Sequence, residues 1–276
     1  MHTPVLLQKV IEGLQIKPGN KYIDATIGEG GHTKAILEKG AYVLGIDRNQ
    51  EQITRLESTL HNERLKLVQG NFADIEKIAK ENDFVPVEGI LFDLGLSWRQ
   101  LSELGKGFSY RPVEEPLDMR LDHSTEQTGE YILNTFTQEQ LYNMIATNSE
   151  EVKASDIAEA IVQQRKGRKF KKVGDLNRTI ASVVGENAGK TYARIYQAIR
   201  IEVNDEFGNL RKGLTGALKI VRPGGKIAII SFHSLEDRIV KQFMREKKVK
   251  MESKNAIAGD RTLSFERSSK LRVFTV

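Results

Sequence analysis

Three carboxylates in the first third of the chain stand where chemistry could be done, each closing an apolar run. Asp24 follows Tyr22-Ile23, Asp47 follows Ala41-Tyr-Val-Leu-Gly-Ile, and Asp93 follows Ile90-Leu-Phe92. After Asp24 comes a glycine-rich turn with Gly28, Gly30, Gly31 and His32, then a helix-like run from Thr33 to Lys39. A strand, a glycine turn and a helix make the opening unit of a nucleotide-type α/β fold, where a sharply turning backbone approaches a ligand with no Cβ in the way. The N–H groups exposed at the helix start favour an anionic group. The pattern completes neither the G-x-G-x-x-G dinucleotide fingerprint nor the G-x-x-x-x-G-K-[ST] phosphate loop. Asp47 lies about twenty residues past the glycines, where an acid can take the two hydroxyls of a ribose. S-adenosylmethionine and NAD both satisfy that geometry, and the missing pyrophosphate fingerprint favours the first.

Asp93 emerges at the carboxyl end of a fourth strand, on the switch-point edge of a doubly wound sheet, where the loops carry the chemistry. Phe72, just beyond a third strand at Leu65–Val68, sits on the same edge and either stacks on an adenine or fills the core. An apolar stripe at Ile53, Leu56 and Leu60 predicts a helix between the second and third strands.

The elements that position these residues fall into two blocks. From Leu101 to Arg211 the strand–helix alternation stops. Helices are expected at Thr137–Ile145, opening on a Thr137/Gln140 capping box, and at Ser155–Gln164, Val173–Val184 and Ala193–Phe207. An all-helical block between the fourth and fifth strands is an inserted domain, placed at 105–211 within a cofactor-binding domain of residues 1–104 and 212–276. The sheet resumes with Lys226–His233, after which Ser234 is expected to cap a helix running through Met244. Asn255–Thr262 reads as an exposed loop, and Lys270–Val276 as a final strand. Between two helices of the insert lies the densest basic run, Arg165-Lys166-Gly-Arg168-Lys169-Phe170-Lys-Lys172, either a solvated connection or a phosphate-contacting arm with an aromatic among its cations.

Composition narrows the chemistry. The 276 residues, 39% hydrophobic and 29% charged, are enough for a sizeable core and typical of a soluble protein. No apolar run approaches the roughly twenty residues of a membrane span, and the start lacks a signal-like pattern, so the expected location is the cytoplasm without membrane attachment. The absence of cysteine excludes disulfides, thiolate zinc sites and cysteine nucleophiles such as C5-pyrimidine methylation requires. The five histidines show no metal-ligand spacing, and no metal is expected. A net charge of +5 permits a polyanionic partner.

Five segments in order, Asp24-Ala-Thr-Ile-Gly-Glu-Gly-Gly-His32, Asp93-Leu-Gly-Leu-Ser97, Leu117-Asp-Met-Arg120, Gln197-Ala-Ile-Arg-Ile-Glu-Val-Asn204 and Ser231-Phe-His-Ser-Leu-Glu-Asp-Arg238, resemble the family of small-subunit ribosomal RNA methyltransferases that includes MraW. The likeness runs from His2-Thr-Pro-Val-Leu-Leu to Lys270-Leu-Arg-Val. It implies a class I S-adenosylmethionine-dependent methyltransferase fold, a Rossmann-like doubly wound sheet with a helical insertion. The implied activity is methylation of the N4 amine of a cytidine in the decoding region of 16S ribosomal RNA, within an assembled or partly assembled 30S subunit. Carried over by position, the cofactor contacts are Gly30, Gly31, His32, Asp47, Phe72, Asp93 and Gln100. The loop departs from the family in carrying Trp98-Arg99 where serine and proline are usual. A homodimer is one arrangement the sequence allows.

The cytosine N4 lone pair is delocalised into the ring, so the amine needs an acceptor for its protons. Asp93, with the Ser97 hydroxyl, is the candidate catalytic pair. Asp93 either accepts an N–H itself or holds the loop while the carbonyls near Leu94 and Gly95 accept. Alignment of amine, methyl and sulfur supplies much of the rate. On the substrate side the candidates are Arg120, His233, Arg165, Lys166, Arg168 and Lys169. An NAD-dependent oxidoreductase and a non-catalytic ribosome-assembly factor are the alternative readings.

Overall fold

The computed structural model describes residues 4–95, 105–122, 125–185, 189–263 and 266–276. The chain divides into two compact units, Met1–Gly95 with Phe207–Val276, and Leu96–Glu206; the reading from strand–helix alternation sets the boundaries at 105 and 211.

The first unit opens with α1 (Leu7–Leu14), β1 (Lys21–Asp24), α2 (Gly31–Glu38), β2 (Tyr42–Asp47), α3 (Gln50–Thr59), β3 (Leu65–Gln69), α4 (Ile75–Glu81) and β4 (Val87–Asp93). Its strands are short because each is an apolar run ended by a carboxylate or a turn. Tyr22, Ile23, Val43, Leu44, Ile90, Leu91 and Phe92 are all buried, as strands covered on both faces require. Asn49 caps α3 by accepting the Glu51 N–H at 2.9 Å, and Ile53 and Leu56 are the face that α3 buries.

The second unit is helical: α5 (Gly129–Thr135), α6 (Gln138–Ser149), α7 (Ala154–Gly167), α8 (Val173–Val184) and α9 (Gly189–Asn204). The expected capping box is present, with Thr137 Oγ1 accepting the Gln140 N–H and Gln140 Oε1 accepting the Thr137 N–H. Ile157, Ile161, Leu176, Ile180, Ile195 and Ile199, spaced at helical intervals, meet in a core of this unit's own.

The chain returns to the first unit through α10 (Glu206–Ile220), then β5 (Val221–Ser231), α11 (Ser234–Glu246), β6 (Lys250–Met251), β7 (Ile257–Ala258) and β8 (Lys270–Thr275). α10 is a helix that the sequence reading does not place: it carries the preceding helix to Phe207 and assigns no element to 208–220. The break falls at Asp205, which takes a left-handed φ of 46° without the glycine that usually marks such a point. Residues 255–262, expected as loop, contribute β7, which pairs with β8.

The strand order is β3-β2-β1-β4-β5-β8-β6. β1 to β5 are parallel and β8 runs antiparallel beside β5. Order reverses between β1 and β4, which makes the crevice outside the carboxyl ends of those two strands the ligand-binding position of a doubly wound sheet. This is the class I methyltransferase architecture that the resemblance implies.

Candidate active site at the sheet edge

The crevice is built from the ends of β1, β2 and β4. Backbone bonds stitch the glycine turn to both neighbours of β1: the Ala25 N–H donates to Leu91 O and the Ile27 N–H to Ile46 O, each at 2.9 Å. Gly28 and Gly30 take left-handed φ values of 50° and 76°, which the turn requires. Gly31 is a glycine for a different reason than approach to a ligand, since a Cβ there would lie 2.3 Å from Pro4 Cγ. The segment before α1 thus lies over the turn. It is fixed by Val5 O, which is 2.9 Å from His32 Nε2, and by the Leu6 N–H, which donates to Glu266 Oε1 at 2.9 Å.

Asp24 is buried and accepts from Thr33 Oγ1 at 2.7 Å. Burial pushes its carboxyl upward against the opposing pull of His32 and the Thr33 hydrogen bond. Asp47 is 9% exposed. Its Oδ2 accepts the Gly28 N–H at 3.0 Å and its Oδ1 the Asn49 N–H at 2.9 Å. Burial raises this carboxyl too, with those two N–H groups opposing the rise. Each oxygen retains a lone pair for a hydroxyl donor.

Asp93 differs. Its N–H donates to Thr26 Oγ1 at 2.7 Å, which fixes the strand end. The side chain keeps 21% of its surface open, yet Oδ1 is covered and has no hydrogen-bond partner among the described residues. His32 Nδ1 stands 3.8 Å from Oδ2. Because a carbonyl can only accept, Val5 O makes His32 Nε2 the donor, so Nδ1 either carries a second proton or turns a lone pair toward the carboxyl. Burial raises the Asp93 carboxyl to about 6, with His32 opposing and Asp24 adding to the rise. A buried acceptor without a donor calls for a ligand that supplies one. A cofactor carrying a sugar diol and a cationic group, as S-adenosylmethionine does, fits the acidic oxygens of Asp47 and Asp93 beside the glycine turn.

Phe72 lies in a short turn of 3₁₀-helix after β3, half-buried. It meets Phe92 edge-on at 5.7 Å, and a Cβ on Gly213 would strike its ring. Leu94 donates its N–H to Ile230 O at 3.0 Å, and a Cβ on Gly95 would lie 2.4 Å from the Phe232 ring. The Asp93–Gly95 and Ser231–Arg238 segments therefore meet at one edge. His233, rather than the expected Ser234, caps α11: its Nδ1 accepts the Glu236 N–H at 3.4 Å, because Glu236 closes a capping box by accepting the His233 N–H. Glu236 Oε1 lies 3.1 Å from Nε2 but off the hydrogen-bonding direction, so that nitrogen has no hydrogen-bond partner among the described residues. Ser97 and Gln100 lie outside the described residues, as do His2 and His123.

Sequence reasoning names Asp24 only as a strand end and passes over Thr26. The signal for both was the Asp-Ala-Thr order, which sets a hydroxyl two residues past a buried acid, within reach of the neighbouring strand end.

In the helical unit, Arg120 commits its guanidinium to its own loop, donating to both Asp118 oxygens at 2.7 and 2.9 Å and to Thr125 O at 3.2 Å. The basic run is largely engaged as well. α7 continues through Gly167, so Arg165 and Lys166 are helical; Arg165 donates to Leu133 O and Lys166 to Gln163. Lys172 pairs with Glu114, and Arg168 lies 3.5 Å from Asp175. Phe170, read as an aromatic among cations, is 0% exposed. Its N–H and carbonyl are both bonded to the Asn134 side chain, and its ring joins the helical core. Lys169 stays exposed.

Residues 1–272 match the model of the MraW methylase family. The chain is 43% identical over 254 residues to ribosomal RNA small subunit methyltransferase H of Halothermothrix orenii, covering 89% of this chain and 81% of that one. It is 38% identical over 292 aligned residues to the protein of the same name from Dictyoglomus thermophilum, covering 99% and 96%. Among solved structures, NSun6 from Pyrococcus horikoshii with SFG superposes with a TM-score of 0.51 at 11% identity, over 99% of this chain and 52% of that one, a likeness of fold alone.

Proposed function

This chain belongs to the MraW methylase family, and from that premise we propose that it methylates the N4 amine of a cytidine in the decoding region of small-subunit ribosomal RNA. It is an S-adenosylmethionine-dependent rRNA methyltransferase. When bound, the cofactor supplies a methyl group already activated by its sulfonium. The observation that carries the reading of the site is the unpartnered Oδ1 of Asp93 at the sheet edge.

Asp93 holds an acceptor where an amine N–H needs one, and above a pH of about 6 it is a carboxylate. The carbonyls of Leu94 and Gly95 share that acceptor role, and the Ser97 hydroxyl is assigned to it as well. Asp47 takes the ribose hydroxyls, while Gly30, Gly31 and His32 shape the wall of the pocket. Phe72 and Gln100 complete the cofactor contacts. His233 is the substrate-side histidine at the same sheet edge, and the exposed Lys169 and Arg168 meet RNA phosphate. Turning the target base out of a stacked RNA costs a few kcal/mol, which favours an assembled or partly assembled subunit over a short oligonucleotide. The enzyme acts in the cytoplasm.

The test is transfer of a tritiated methyl group to small subunits lacking the modification, followed by nucleoside analysis. The expected product is N4-methylated cytidine. Label on a ring carbon or a sugar would reject the assignment, and binding of the subunit with no transfer would make the protein an assembly factor.

A further inference from the structure

The net charge of the chain is concentrated in one place. Residues 238–254 hold seven Lys and Arg against two Glu, a net of +5 in 17 residues that equals the +5 of the whole chain; the remainder sums to neutrality. The segment covers most of α11 and runs through β6. The buried face of α11 is Leu235, Ile239, Val240, Phe243 and Met244. Lys241 and Arg245, four residues apart, lie on one exposed side of α11; Lys248, beyond the helix end at a left-handed φ of 56°, is exposed as well. Lys250, in β6 and in register with Thr275 of β8, is also exposed.

These four cations make no close ion pair among the described residues, Lys241 and Lys250 acting only through space on Asp237 and Glu252, whereas Arg165, Lys166, Arg168 and Lys172 of the other basic run are engaged with a carbonyl, an amide and carboxylates. An exposed row of like charges without close ion pairs repels itself, and a polyanion relieves that repulsion. Its position suits such a ligand. α11 starts immediately after the carboxyl end of β5, whose Ile230 is in register with Asp93, so the row leads away from the edge that holds the candidate catalytic carboxylate.

We infer that the exposed face of α11 with the start of β6 is a phosphate track, gripping the sugar–phosphate backbone of the ribosomal RNA that flanks the target nucleotide. This rests on the reading of the protein as an rRNA methyltransferase. The track contacts charge and not sequence, so it contributes affinity and its salt dependence while leaving the choice of base to the crevice.

The experiment compares the wild-type chain with a K241E/R245E/K248E variant and with the milder K241Q/R245Q/K248Q variant, all on small subunits lacking the modification. Calorimetry with S-adenosylmethionine should give equal cofactor affinity for all three, which certifies the fold. The KM for subunits should rise about tenfold or more in the glutamate variant and less in the glutamine variant, with kcat held within twofold. The slope of log affinity against log salt for RNA should flatten by roughly 2, as loss of three single-strand phosphate contacts requires. A K241R/R245K variant, which keeps the charges, should behave as wild type. Unchanged KM and salt slope in both charge-removed variants would overturn the track, as would photocrosslinking from position 245 solely to ribosomal protein. Failure of the wild type to methylate the subunit would instead overturn the functional reading itself.

Discussion

Asp47 and Asp93 end β2 and β4, the strands on either side of β1, the first buried and the second half-buried, both with raised carboxyls, and they differ in what their oxygens already hold. Both Asp47 oxygens accept a backbone N–H, from Gly28 and from Asn49. Asp93 Oδ2 faces His32 at 3.8 Å and Oδ1 has no hydrogen-bond partner among the described residues, with the Gly95 N–H drawing its carboxyl down. Hydrogen bonds to the charged form favour a buried carboxylate's ionised state and fix it in place, whereas a carboxyl with fewer of them holds its proton longer and keeps an oxygen ready for an incoming donor. On the proposed reading, Asp47 is part of the wall of the pocket and Asp93 is the group reserved for the reaction; Asp47 also holds the glycine turn through the Gly28 N–H.

The sharpest way to break this contrast is Asp93→Asn, which keeps the shape and removes the charge. Loss of a proton acceptor in a transfer step costs roughly a hundredfold to ten-thousandfold in rate, and single-turnover methyl transfer should fall by that much while calorimetric cofactor affinity changes far less. A rate within threefold of wild type would assign the acceptor role to the loop carbonyls.

The next effect is on pH dependence. Unfolded, Asp93 titrates near its ordinary 3.8; folded, it titrates at about 6. Between those values the folded chain holds the proton more tightly, so this group's contribution to stability falls as pH rises through that window, by roughly 3 kcal/mol in all. Urea unfolding at pH 4 and pH 7.5 should show that loss in the wild type and its absence in Asp93→Asn. The free-enzyme kcat/KM profile should carry an acid limb near pH 6 that the variant lacks.

Asp47→Ala removes an acceptor from two N–H groups and from the ribose. At roughly 1.5–3 kcal/mol for a hydrogen bond to a charged group, cofactor affinity should drop at least about tenfold. Unaltered calorimetric affinity would reject the wall role. Smallest is Thr26→Val, which leaves the Asp93 N–H without its 2.7 Å partner. Stability should fall by about 1–3 kcal/mol, with cofactor affinity unchanged.

How much of this was legible in the sequence follows from the range of the interactions. The strand-end acids and the glycine turn are local patterns, and the structure places them together as their order implies. The capping box at Thr137 and the helix at Val173–Val184 are local as well. What the sequence hid depends on distant partners. Phe170 looks solvated among cations until Asn134 is seen holding both of its backbone groups. Gly31 looks like a ligand-approach glycine until Pro4 occupies the space of its missing Cβ. The break before α10 is invisible because Asp205, rather than glycine, takes the left-handed turn.

The bond from the Leu6 N–H to Glu266, across 260 positions, fastens the segment that covers the glycine turn. During synthesis that fastening must wait for a partner 260 positions on, and the neighbour of β4 in the sheet, β5, also arrives more than a hundred positions late. Closing such distant pairs is slow for a chain. A nascent chain that has emerged only through its helical unit therefore presents an uncovered turn and an unpaired strand, and competence for the cofactor waits on β5 and the Glu266 segment.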